Sequence, residues 1–327
     1  MSTGHPSGSV SIGIDVGGTD IKGGLVTREG RVVHKTTIAT EVEGGVDQVI
    51  GRIARCINQL RDRAAAGSAT VAGAGLGMPG TLSRRRGVII APPNLTGWLN
   101  IPVVDRLQPL TGLRVLLDND ANLAALGEYL AGAGRGVRDM VMLTLGTGIG
   151  SGIIIDGKVF RGAGENAGEF GHSIVHFGGR RCGCGQLGCL EAHTSARHLS
   201  AIVAEEIQAG QPSALNEVLQ KSGKVEPLDI VQAARAGDAL ATRIWINACR
   251  YLAVGCINIH AILDPERIVF AGGMSNAGDF LLKYVRQGIE EQASPMLGEV
   301  PELRIAELGN DAGFIGAAMS VFHEAPA

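Results

Sequence analysis

The chain carries no excess of either charge. Its 29 Lys and Arg stand against 32 Asp and Glu, a formal −3, so no strong field draws it to nucleic acid. The only basic run, Arg84-Arg85-Arg86, is short, abuts Gly87 and reads as a solvated turn. The opening MSTGHPSGSV is polar and has no apolar h-region, so no secretory signal is expected. No uninterrupted apolar run reaches the ~20 residues of a membrane span. A Cys-x-x-Cys redox pair is missing, as is the GxxxxGK[ST] of a P-loop. No repeat of about 20–50 residues is present, which argues against a solenoid. These absences lead to the expectation of a soluble, cytoplasmic protein with neither nucleic acid nor membrane as partner.

What remains is a chain of 327 residues, 45% apolar, long enough for about two domains with substantial cores. Glycine is the outlier: 49 residues, about twice the usual ~7% share. The glycines follow apolar runs, at places suited to tight turns that approach a ligand. Residues 10–14 and 24–26 read as strands around a Gly-Gly turn, with 31–39 a third strand. Residues 46–66 have helical spacing, 71–76 and 115–117 read as strands, and 121–131 as a helix. Residues 140–145 open a second block: strand, Gly-Thr-Gly turn, strand 152–155. A helix over 239–263 is expected to be buried over 244–263, where it is apolar on nearly all faces, with Pro265 after it, a strand at 267–270 and a last helix at 312–322. Cys56, Cys249 and Cys256 fall in helical patterns and read as core. Alternating strands and helices make this an α/β protein. The repeated strand–turn–strand element implies two related domains whose turns face a shared cleft.

Each turn has a chemical reading. DVGGTDIK follows the first strand and holds Asp15, Gly17, Gly18, Thr19 and Lys22. Consecutive N–H groups in such a turn bind anions, and Asp15 is a hard oxygen donor suited to Mg²⁺ through water. LGTGIG, with Gly146, Thr147 and Gly148, is a second turn of the same kind. The pair together suggests a clamp on a nucleotide triphosphate. GxGxxG occurs at 75–80 and 183–188, but neither leads from a strand into a helix as a dinucleotide fold requires. The stretch Asp118-Asn119-Asp120-Ala-Asn122 ends a strand and begins a helix. One acid there could be an N-cap, but two carboxylates and two amides exceed what a cap needs. Such groups recognise sugar hydroxyls, and a carboxylate can take a hydroxyl proton during phosphoryl transfer.

Residues 169–191, EFGHSIVHFGGRRCGCGQLGCLE, gather three of the six cysteines and His172 in one Gly-rich loop. His-x9-Cys-x-Cys-x4-Cys (His172, Cys182, Cys184, Cys189) offers zinc a closed tetrahedral shell, which marks a structural ion. His176 and His193 are competing nitrogen donors, with His172 favoured. Glu169 and Glu191, hard oxygen groups at the two ends, are spare to that shell.

These residues together resemble the ROK family of repressors and sugar kinases, over about residues 10–322. DVGGTDIK is similar to the family's first phosphate motif, LTLGTGIGSG to its second, and FAGGMS, with Gly272 and Gly273, to its adenosine-side motif. AGEFGH followed by CGCGQLGCLE is similar to its zinc signature. Among members, the bacterial ATP-dependent glucokinases are most similar. The resemblance implies an actin/hexokinase-like two-domain fold of ribonuclease H-like repeats with an interdomain cleft. It implies a small domain over 1–125, completed by the C-terminal helix at 312–327, and a large domain over 126–311 carrying the zinc loop. It also implies that Asp120 is the base for the 6-hydroxyl of glucose. Gly80, Asn94, Asn119, Glu169, His172 and Glu191 would hold the sugar, with ATP, Mg²⁺ and structural Zn²⁺ as cofactors and a homo-oligomer, dimer or tetramer, as the assembly. Fructose, mannose, N-acetylglucosamine and N-acetylmannosamine are alternative substrates, and a regulator lacking its DNA-binding domain is the third reading. Two departures stand out: Asp20, where relatives carry Asn or Lys, and the lack of an acid in 81–86 after the Pro-Gly.

Overall fold

The computed structural model describes residues 8–92 and 97–323. Three strands come first, β1 (Ser9–Val16), β2 (Asp20–Thr27) and β3 (Val32–Ala39). Helix α1 (Gly45–Ala66), β4 (Thr70–Met78), a hairpin of β5 (Thr81–Ser83) and β6 (Val88–Ala91), α2 (Val103–Thr111), β7 (Val115–Asn119) and α3 (Asp120–Ala131) follow. The pattern restarts with β8 (Met140–Leu145), β9 (Ile149–Ile155) and β10 (Lys158–Val159). Then come α4 (Leu190–Thr194), α5 (Ala196–Gln208), α6 (Leu215–Ser222), α7 (Pro227–Arg235) and α8 (Ala239–Leu263). The chain ends with β11 (Arg267–Ala271), α9 (Asp279–Gln292), β12 (Glu302–Ile305) and α10 (Ala312–His323).

The sheets run β3-β2-β1-β4-β7 and β10-β9-β8-β11-β12. Counted along the chain, each orders its strands third, second, first, fourth, fifth, so the expected repeat is a repeat of topology. In the first sheet β1, β2 and β3 pair antiparallel, and β1, β4 and β7 parallel. In the second, β9 and β10 are antiparallel while β8, β11 and β12 are parallel.

The chain forms two compact units: residues up to Val137 with Gly152–Ala167 and everything from Glu307, and Arg138–Ser151 with Gly168–Ala306. Helix α3 falls whole in the first unit, past the 125/126 boundary expected from sequence, because its buried face lies on α10. In that unit Ile12 and Ile14 of β1 join Val49, Ile53, Ile57 and Leu60 of α1 in one core. Gly13, pointing the other way, lets α10 lie on the sheet. A Cβ on Gly13 would fall 1.7 Å from the Phe314 carbonyl oxygen, and one on Gly75 of β4 would fall 1.8 Å from that of Ala317. Gly127 and Gly316 thin the α3–α10 contact in the same way. Part of the glycine excess that sequence suggests is ligand-facing is therefore a packing device.

In the second unit β11 is buried along its whole length. Helix α8 is long and apolar enough to cross a membrane by length and composition alone. It packs instead on α9, α7 and α4. Burial is not all round, contrary to expectation: Ile262 is 71% exposed, and Asn247, Arg250 and Ala261 lie on its open face. Cys56, Cys249 and Cys256 are buried as expected.

Candidate functional site

In the first unit, the β1–β2 pairing sets Asp15 opposite Lys22 and leaves Gly17 and Thr19 exposed at the turn. The turn closes through Gly17 N–H donating to the Asp20 carbonyl at 2.8 Å. Buried Thr40 braces it from outside, donating its hydroxyl to the Gly17 carbonyl (2.7 Å) and its N–H to that of Thr19 (2.8 Å). Burial pushes the Asp15 carboxyl above its ordinary range, and Lys22 pulls it part of the way back. A Cβ on Gly313 would lie 2.5 Å from Asp15 Oδ2, so the first turn of α10 is bare where the carboxylate sits.

The second element of this unit is the turn 118–122, between β7 and α3. Asn119 is the N-cap of α3: its Oδ1 accepts from the N–H groups of Ala121 (2.9 Å) and Asn122 (3.2 Å). Its Nδ2 donors are the groups left for a ligand. Asp118 is buried. Its Oδ1 accepts from the Asn119 N–H (2.8 Å) and Asn122 Nδ2 (3.2 Å), and its Oδ2 from Arg161 Nε (2.8 Å). Asp118 is therefore scaffolding. Asp120, half-buried in the first turn of α3, keeps Oδ1 at 2.8 Å from the Ala121 N–H.

Gly80 follows β4 with φ of +80°, a left-handed turn that glycine adopts without strain, and it leads into the β5–β6 hairpin. Asn94 lies outside the described residues. The Arg84-Arg85-Arg86 run is a turn, as expected, with Arg85 and Arg86 exposed; only Arg84 departs from the solvated reading. Arg84 lies half-buried with Nε 3.9 Å from Asp118 Oδ2, and Arg85 pairs with Glu165 at 3.5 Å. Glu165, from a distant segment, is the acid that meets this hairpin.

In the second unit, Thr147 is exposed at the tip of the β8–β9 turn. Gly146 N–H donates to the Gly148 carbonyl (3.0 Å) and Gly150 N–H to Thr144 Oγ1 (3.0 Å). Gly272, with φ of +87° and an imagined Cβ 2.6 Å from the Leu145 carbonyl, brings a third Gly turn against this one, and Gly273 has open space beside it. Glu191 in α4 reaches the same place, its Oε2 accepting the Ile149 N–H at 2.9 Å. Glu169 is exposed.

The ligand atoms of His172, Cys182, Cys184 and Cys189 all lie within 4.8 Å of one another. Cys184 and Cys189 sulfurs are 3.7 Å apart, too far for a disulfide at ~2.05 Å and close to the ~3.8 Å edge of a tetrahedron with 2.3 Å bonds. The nitrogen facing Cys182 is His172 Nδ1, at 3.6 Å, which leaves Nε2 for another partner. Short backbone bonds hold the thiols: Cys182 N–H to the Gln186 carbonyl (2.9 Å) and Gly188 N–H to that of Arg180 (2.8 Å). The competing imidazoles are engaged elsewhere. His193 is buried and stacked on Tyr251 at 4.1 Å, and burial, helped by His176, pushes its pKa down to about 4. His176 Nδ1 is 2.9 Å from the Tyr251 hydroxyl.

Thr40, Arg161 and Glu165 are participants that sequence reasoning missed. Each acts on a partner far along the chain, and none sits in a motif. Against known proteins, the ROK family model matches residues 11–324. The chain is 39% identical to a glucokinase of Halalkalibacterium halodurans over 95% of its own length and 94% of that protein. Among solved structures it resembles a ROK hexokinase from Thermus thermophilus, with TM-score 0.81, 33% identity, and 96% and 98% of the two chains covered. It also resembles a ROK family glucokinase from Streptomyces griseus in complex with glucose and AMPPNP, with TM-score 0.80, 31% identity, and 96% and 100% covered.

Proposed function

The chain belongs to the ROK family, and from that premise we propose that it transfers the terminal phosphoryl group of ATP to the 6-hydroxyl of glucose. The observation that carries this reading is the 118–122 turn. There a half-buried carboxylate stands at a helix N-terminus beside an amide whose oxygen is already spent on the cap.

Asp120 takes the proton of the attacking hydroxyl, the role a positioned carboxylate plays in phosphoryl transfer. Asn119 Nδ2 donates to a neighbouring hydroxyl, and the Gly80 backbone and Asn94 add contacts. Glu169 and Glu191 accept from further hydroxyls, and His172 Nε2 serves the same sugar. Gly17, Gly18, Thr19 and Lys22 of the first turn, with Gly146, Thr147 and Gly148 of the second, bind the phosphates. Gly272 and Gly273 border the nucleoside. Asp15 fits a hydrated Mg²⁺, which when bound neutralises charge on the phosphates. His172, Cys182, Cys184 and Cys189 fit one structural Zn²⁺, which fixes the His172 ring through Nδ1. A cytoplasmic homo-oligomer, dimer or tetramer, completes the reading, with the sugar base on the first unit and the zinc loop on the second.

A coupled ADP-release assay tests it, run across glucose, mannose, fructose, N-acetylglucosamine and N-acetylmannosamine with ATP and polyphosphate as donors. Glucose with ATP should give the highest kcat/KM. A higher value for any other sugar would replace the substrate, and no turnover with any would remove the kinase reading.

A further inference from the structure

Residues 161–167, just after β10, form a small closed loop with two charged side chains committed to distant partners. Ala167 N–H donates back to the Arg161 carbonyl at 3.0 Å. Glu165 adopts φ of +61°, a left-handed conformation unusual for a residue with a side chain. That conformation goes with three contacts on the β5–β6 hairpin. Glu165 Oε2 accepts from the Ser83 hydroxyl (3.0 Å), and its Oε1 accepts from the Arg85 N–H (3.3 Å) and lies near the Arg85 guanidinium (3.5 Å). The loop is thereby fastened.

At its start, Arg161 places both Nε and Nη2 on Asp118 Oδ2, while Nη1 donates to the Val159 carbonyl at 3.3 Å. Side-chain exposure is 18% for Arg161 and 6% for Asp118, so the pair is shielded from water. Charge-assisted forks of this kind fix direction as well as distance. The other oxygen of Asp118 holds the Asn119 N–H and Asn122 Nδ2. The backbone around Asp120 is therefore held before it by Asp118 at the Asn119 N–H and after it by the Asn119 cap at the Ala121 and Asn122 N–H groups.

We infer that Arg161 is a positioning residue for Asp120: it orients Asp118, which sets the 118–122 turn and with it the carboxylate that takes the sugar proton. The inference rests on the reading of Asp120 as base. Without Arg161, Asp118 keeps a shielded negative charge that has lost its closest cation. It then turns toward water or another partner, which loosens its hold on the Asn119 N–H. A displacement of about 1 Å at a reacting group can cost roughly 10²-fold in rate, whereas binding of a neutral sugar depends less on it.

The test compares full-length Arg161→Lys, Arg161→Met, Asp118→Asn and the double variant Arg161→Met/Asp118→Asn, measuring kcat, KM for glucose and ATP, and Tm. Arg161→Met should lower kcat by roughly 10- to 100-fold with KM for ATP within about twofold. Arg161→Lys should recover only part, because an ammonium is a point charge and not a fork. The double variant should be more active than the product of the single losses predicts, since the stranded charge is removed with its partner. Wild-type kcat in Arg161→Lys and Arg161→Met, with only Tm reduced, would overturn the inference. If Arg161→Met does not fold, wild-type kcat in Arg161→Lys overturns it alone. Asp120→Asn separates the two claims: full turnover there defeats the base reading, while an inactive Asp120→Asn beside a normal Arg161→Lys defeats only this one.

Discussion

Glu191 Oε2 accepts the backbone N–H of Ile149 at 2.9 Å, and a Cβ on Gly148 would come within 2.6 Å of the same oxygen. The acid that closes the cysteine loop is therefore bonded to the second Gly-Thr-Gly turn, which on the proposed reading would couple sugar and nucleotide through one side chain. Glu191→Ala should weaken glucose binding by roughly 10- to 100-fold, the scale of lost hydrogen bonds to a charged group. It should also raise KM for ATP, because the turn loses its acceptor. Calorimetry with glucose and steady-state kinetics in ATP check the two halves, and an unchanged KM for ATP would show that the turn holds itself.

Asp120→Asn keeps the size and the cap geometry but removes the base. Turnover should fall by about 10² or more while glucose still binds. Near-normal turnover would end the assignment.

Metal analysis should find about one zinc per chain, and Cys184→Ser should lose it. Cys184 is the exposed thiol of the set, so its change disturbs packing least and reports mainly on the ion. Glucose affinity should fall with the zinc, since His172 is no longer held through Nδ1. Normal glucose binding in the metal-free variant would leave the loop without a role in sugar recognition.

Gly313→Ala puts a methyl group 2.5 Å from Asp15 Oδ2. Either the carboxylate or the first turn of α10 must shift. KM for ATP and the Mg²⁺ requirement should rise several-fold, with glucose binding retained. Titration of activity against Mg²⁺ reads this directly, and a wild-type curve would show that the Asp15 position is not used.

His193 has a folded pKa of about 4 against an ordinary 6.5. Its folded form prefers the neutral ring, so between those values the unfolded chain binds more protons. Stability should therefore fall as pH drops from about 6.5 toward 4. His193→Phe, which can keep the stack on Tyr251, should flatten that part of a Tm-against-pH curve. An equally steep curve in the variant would place the acid sensitivity elsewhere.

The features legible in sequence share one property: their partners are near in the chain or their pattern is periodic. Both Gly turns follow apolar strands, the thiols are spaced for one ion, and His172 is the imidazole that meets them. Arg161 and Asp118 are 43 positions apart, and nothing in the spacing of either announces the other. The same holds for Glu165 with Ser83 and Arg85, whose pairing nothing in the spacing of either segment announces. Asn119 shows a subtler limit: its type suggests a sugar contact, and only the cap geometry separates the oxygen that is spent from the nitrogen that is free. Helix α8 misleads in the other direction, because composition alone does not distinguish a face covered by α9 from one that carries Ile262 into solvent.

Ser11 in β1 donates its hydroxyl to the Ala318 carbonyl in α10 at 2.7 Å, across 307 positions of chain. Strand β1 is thus covered by a helix that is synthesised about 300 residues after it. At a synthesis rate of roughly 5–20 residues per second, the opening sheet waits on the order of tens of seconds for its lid, with Gly13 and Gly75 offering no side chain to shield it. The second unit, made entirely within that interval, can fold while the first is still incomplete. Nascent chains arrested before residue 312 should therefore depend on chaperones for their N-terminal half.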